Sequence, residues 1–179
     1  MSVENQTKQI SHEIKNESSS ALIDLVTSSS AKAFDDVIAD FEAQLGRFDQ
    51  SQALDAQDDA DLSRRLGEMQ GESGLMVVAV LEMDQILPRL RASSERAKQY
   101  LVGNPLIADK MASVNTLAAL FAPPRVLIYS HDERTFISYQ KPSTTFGRLK
   151  SDVIMVTALD LDDKFAAIVQ KALSWRSLY

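Results

Sequence analysis

The chain contains no cysteine. That absence excludes disulfide staples, thiolate nucleophiles, iron–sulfur clusters and cysteine-based zinc sites. Histidine is nearly as scarce. Only His12 and His131 occur, one in a polar N-terminal stretch and one in a short polar break between apolar runs, too few for a histidine metal cage. Glycine-rich phosphate loops are missing as well, since Gly103 stands alone before Asn104-Pro105. No Gly-x-Ser-x-Gly elbow surrounds any serine, and a histidine at a hairpin tip is poorly placed as a buried base, which argues against hydrolase chemistry. No apolar run is long enough to span a bilayer, and the first 20 residues lack the apolar core of a secretory signal. The net charge of −6 disfavours a surface that tracks nucleic-acid phosphates or anionic lipid headgroups, because both need clustered Lys and Arg. The expectation is a cytoplasmic protein with no metal, no cofactor, no nucleic-acid partner and no membrane partner.

What the chain does have is enough apolar material for one core: 179 residues, 45% hydrophobic, a length suited to a single domain. Residues 1–20 are rich in Ser, Asn, Gln and charge without sustained periodicity and read as a flexible tail. Residues 21–179 read as one α+β domain with a polar insertion at 49–73. Leu22, Ile23, Leu25 and Val26, closed by Ser28-Ser29-Ser30, predict a first strand. Ser30 is placed to cap a helix over 31–48, in which Phe34, Val37, Ile38, Phe41, Leu45 and Phe48 recur every third or fourth position.

Gly71 and Gly74 bracket the turn into Leu75–Leu81, a buried central strand by length and β-branching. Pro88 interrupts the stretch after that strand and suits only the first turn of a short helix. Tyr100-Leu101-Val102 predicts the next strand, ended by Gly103-Asn104-Pro105. Helical spacing of Ile107, Met111, Val114, Leu117 and Leu120 comes next, with Val114-Asn115-Thr116 able to split the helix and Pro123-Pro124 ending it. Val126–Tyr129 and Thr135–Gln140 flank His131-Asp132-Glu133-Arg134, a hairpin signal. Val153–Val156 fits either element. Asp160 can cap a last helix striped by Leu161, Phe165, Ile168, Ala172 and Trp175.

The order of these motifs resembles the domain-of-unknown-function family 302, a small bacterial and archaeal α+β domain. The likeness rests on the apolar strand passing into Met83-Asp84, the stretch Tyr100 to Pro105 with its Asn-Pro turn, the helix, Pro124-Arg125-Val126 opening a strand, and Ser138-Tyr139 followed by Pro142. Leu22 to Leu45 is similar to the family's opening strand and helix, and Leu161 to Leu173 to its closing helix. The resemblance implies a two-layer sandwich and a homodimer, but no reaction. The expected architecture is an antiparallel or mixed sheet of about five strands, its apolar face covered by helices on one side.

Three residues stand out as candidate ligand contacts. Asn104 before Pro105 reads first as an Asx turn, and second as an amide lining a pocket at a strand end. Asp84 follows the buried strand, where a carboxylate caps a short helix or faces a cleft. Tyr139 shares its strand face with Ile137 and reads as a core tyrosine with its hydroxyl at the rim. The acidic groups Asp58, Asp59, Asp61 and Asp160, Asp162, Asp163 lack an EF-hand pattern and read as solvated helix surface, as do Arg64, Arg65, Arg89 and Arg91. The first functional expectation is a small-ligand-binding or regulatory module whose pocket lies between the sheet and the helix after Pro105. The others are an enzyme using Asp84 or Tyr139 as general acid or base, and an interaction module using the hairpin edge or the acidic 49–73 segment.

Overall fold

A computed structural model describes residues 14–93 and 95–175. Of the tail, residues 1–13 (with His12) lie outside the described residues, while 14–20 are exposed and without regular structure. The sheet has six strands: β1 (Leu25–Ser30), β2 (Gly46–Arg47), β3 (Met76–Glu82), β4 (Ala97–Gly103), β5 (Arg125–His131) and β6 (Arg134–Gln140). Their order is β1-β6-β5-β4-β3-β2, one strand more than expected because the two-residue β2 adds itself to the edge. That last pair is parallel and all others antiparallel, so the sheet is mixed.

Nine helices are found among the described residues. Two of them cover one sheet face: α1 (Phe34–Glu42) and, last in the chain, α9 (Asp152–Leu173). Phe34, Val37, Ile38 and Phe41 of α1 meet Tyr100, Val126, Ile128 and Ile137 of the sheet, and Phe165 and Ile168 of α9 close the same core. Each such side chain, fully buried, contributes about 1.5–3 kcal/mol. The opposite face carries Thr27, Gln99, Leu101, Leu127, Tyr129, Phe136 and Ser138, none of them in that core. Tyr129 and Phe136 stack there with ring centroids 5.0 Å apart.

Several boundaries differ from expectation for identifiable reasons. The first strand lies three residues later than predicted, because Ser28, Ser29 and Ser30 pair with Ile137, Phe136 and Thr135. At a sheet edge the backbone ladder holds a strand that apolarity does not mark. Ser30 is therefore in the strand, and α1 starts after Ala33 with no side-chain cap. The helix ends at Glu42, not Phe48, because Gly46 N–H and Phe48 N–H donate to the carbonyls of Leu75 (2.9 Å) and Val77 (3.0 Å). The polar 49–73 stretch forms α2 (Gln50–Leu54) and α3 (Asp59–Glu68), capped by Asp49 and Asp58.

After β3 come α4 (Met83–Ile86) and α5 (Pro88–Ser93), with Pro88 in the first position of α5. The next helical stretch is split at 113–117 into α6 (Pro105–Ala112) and α7 (Ala118–Phe121). The 125–140 hairpin turns on Asp132 and Glu133, both at positive φ, as a two-residue type I′ loop requires. It sits inside the sheet, paired on both sides by β4 and β1, so its edge is not free for a partner. α8 (Pro142–Gly147) follows it. α9 begins eight residues before Asp160, capped by Ser151. Ile154 and Ala158 extend the buried stripe of Leu161 backward, whereas Val153, Val156 and Leu159 are exposed and obscure the period. Trp175, expected in that stripe, lies past the helix end and is exposed.

Candidate functional site

The end of β4 builds a concave corner of the molecule. Pro105 forces an extended backbone on the residue before it, and Asn104 adopts one (φ −143°, ψ 120°). In that geometry its Oδ1 accepts from Leu106 N–H at 2.8 Å, capping α6, while its Nδ2 donates to the Gly74 carbonyl at 2.8 Å. One amide thus fastens three segments. Gly103 beside it has no Cβ for a reason: one placed there would lie 2.9 Å from Pro123 Cβ. Asn104→Ala removes a cap and orphans the Gly74 carbonyl, so it is expected to cost about 2–3 kcal/mol in urea unfolding without abolishing the fold.

Against this corner opens a recess of about 240 Å³. Phe48 and Val78 form one side, Ile107 and Ala108 of α6 another, and Pro123 and Pro124 a third. Its deep wall is Met111, Phe146 and Leu161, each no more than 3% exposed. Asn104 is the single polar side chain on the lining. A second recess of about 180 Å³ shares Ala122, Pro123, Pro124 and Phe146 with the first and adds Arg125, Gln140 and Thr145.

The three sequence-predicted residues are not brought together. Asp84 follows the end of β3 remote from Asn104: Met76 at the near end pairs with Gly103, and a seven-residue strand spans roughly 20 Å. Its Oδ2 accepts from Ala97 N–H at 3.2 Å and its Oδ1 is buried without a hydrogen bond. It pins the entry to β4 and does not cap α4, which has no side-chain cap. Tyr139 lines neither recess. It is 5% exposed and stacked on Phe165, with ring centroids 5.3 Å apart. Burial, helped by the Asp162 carboxylate, raises the pKa of its hydroxyl.

Asp61 and His131 are engaged away from the recess. Asp61 accepts from Gln57 N–H and from Arg64 and Arg65, which together draw its pKa down to about 2. His131 pairs through Nδ1 with Glu95 at 2.7 Å, and that bond, with the nearby Asp132 charge, raises its pKa on the exposed hairpin tip. Among the described residues no group of three or more His, Asp or Glu is arranged to hold a metal ion. Nor is any helix among them long and apolar enough to cross a membrane.

Of the three residues singled out from the sequence, Asn104 alone lies on the recess lining. Met111, Phe146 and Leu161 carry no signal that separates a cavity wall from a packed core, and Pro123-Pro124 announces itself only as a helix stop.

These features define a two-layer α+β domain with a concavity at the end of the sheet, under the Asn-Pro turn. The chain belongs to the family described as Domain of unknown function DUF302, whose model matches residues 55–172. The matched range takes in 55–73 of the polar stretch and leaves the opening strand and helix outside it. The fold is similar to the crystal structure of an uncharacterized conserved DUF302 protein from Bacillus stearothermophilus. The two are 17% identical with a TM-score of 0.59, and the likeness covers 83% of this chain and 97% of that one. No curated protein matches.

Proposed function

We propose that the protein is a binding module that takes a small, mostly apolar molecule into the recess beside Asn104. The carrying observation is the lining itself. Apolar side chains from both layers surround one amide, and that amide keeps one Nδ2 hydrogen and one Oδ1 lone pair after its two structural bonds. Ligand sites are typically built in this way, from a greasy enclosure with few polar anchors. The recess is smaller than a drug-sized site, which sets the scale of the ligand. With no titratable side chain on it, the lining favours binding over acid–base chemistry.

The probe is 1-octanol, followed by methyl NMR. Saturable shifts are expected at the Met111 and Ile107 methyls of the native protein. They should be absent in Ala108→Phe, whose ring occupies the space while the half-exposed position leaves the core intact. Equal shifts in both proteins, or none in the native one, overturn the reading.

A further inference from the structure

The chemistry around the recess specifies more than an apolar ligand. We propose that the ligand is a small carboxylate-bearing amphiphile, its chain in the recess beside Asn104 and its carboxylate on Arg125 in the adjoining one. This rests on the binding reading above and adds a ligand class to it.

Four observations carry it. First, the two recesses adjoin, with Ala122, Pro123, Pro124 and Phe146 lining both. Second, no Asp or Glu lines either recess, although the chain as a whole is acidic with a net charge of −6. Third, Arg125 is the one charged side chain on either lining. Among the described residues it makes no ion pair and no side-chain hydrogen bond, whereas Arg64, Arg65 and Arg96 are each tied to carboxylates. Fourth, a second guanidinium, that of Arg148, lies 5.0 Å over the ring of Phe121, which lines the second recess. An unpaired guanidinium beside a greasy enclosure matches a carboxylate, because its planar fork donates two parallel hydrogen bonds to the two oxygens. Gln140 and Thr145 on the same lining offer further polar groups.

Size follows from volume. At roughly 30 Å³ per water, the 240 Å³ recess holds about eight water-sized groups. A chain of about that many carbons with a terminal carboxylate fits, and octanoate is the natural probe.

The experiment compares octanoate with 1-octanol by titration calorimetry at pH 7, on the native protein and on Arg125→Gln. Arg125 is exposed at the start of β5, so its replacement leaves the core untouched. Octanoate is expected to bind at least about tenfold tighter than 1-octanol to the native protein. In Arg125→Gln that advantage should disappear while 1-octanol binding is unchanged. If octanoate and 1-octanol bind the native protein equally, or if Arg125→Gln weakens both alike, the carboxylate assignment is overturned while the apolar recess stands. If neither binds the native protein, both fail together.

Discussion

Gly46→Ala is expected to cost the fold at least about 3 kcal/mol, a large fraction of the stability of an ordinary domain. A Cβ at Gly46 lands on the Met69 carbonyl oxygen and comes within 2.7 Å of the Gln70 carbon and the Gly71 nitrogen. All three are backbone atoms, so no side chain can swing aside. Gly71 approaches the same crossing from the other segment, its own missing Cβ facing the Gln44 carbonyl and the Gly46 nitrogen. The contact is what lets β2 pair with β3 and carries Phe48 to the recess. Gly67 is the control: it sits near the end of α3, and a methyl added there would meet nothing within 4 Å, so Gly67→Ala should stabilise by about 0.5–1 kcal/mol. Urea midpoints of the two variants, read by circular dichroism, should move in opposite directions. Equal and small shifts would show that the 46/71 crossing is not tight.

The second large effect is expected at Lys32. The residue is 4% exposed, and its ammonium pairs with the Asp40 carboxylate and donates to the carbonyls of Ala172 (2.8 Å) and Ser174 (2.9 Å). It therefore closes the C-terminal end of α9 against α1, satisfying carbonyls that a helix end leaves without partners. Gln44 repeats the tie one turn on, donating to the carbonyls of Asp40 and Ile168. Lys32→Met takes the cation away from a buried carboxylate and from two carbonyls, a loss of about 3–5 kcal/mol. For a chain of this length that lowers the midpoint of thermal unfolding by roughly 10 °C. Lys171, paired with Glu72 on the surface at 3.1 Å, is the comparison, and Lys171→Met should change stability by less than about 1 kcal/mol. A Lys32→Met variant as stable as Lys171→Met would contradict the clamp.

How much of this was legible in the sequence depends on the range of the interaction. The hairpin was readable because alternation along Val126–Tyr139 and its two-residue turn are local. Asn104-Pro105 was readable as a turn for the same reason, since both constraints act between neighbours. The start of α9 was not, because Val153, Val156 and Leu159 are apolar yet exposed, and they blur the stripe that Ile154 and Ala158 continue. Lys32 gave no sign at all: a lone lysine between alanines looks solvated, and the carbonyls it serves lie 140 and 142 residues away. The recess is the extreme case. Its walls come from positions 48, 78, 103–124, 146 and 161, and each residue alone is what a packed core would use. Asp84 and Tyr139 were plausible for what they are chemically. Only the register of β3 on β4, and the packing of Tyr139 on Phe165, places them away from Asn104.

The most direct measurement is a crystal structure of the native protein soaked with 1-octanol. The account predicts a chain of density bounded by Met111, Ile107, Pro123 and Phe146, its hydroxyl toward the Asn104 amide. A recess filled by its own side chains, with the alcohol excluded, would contradict it.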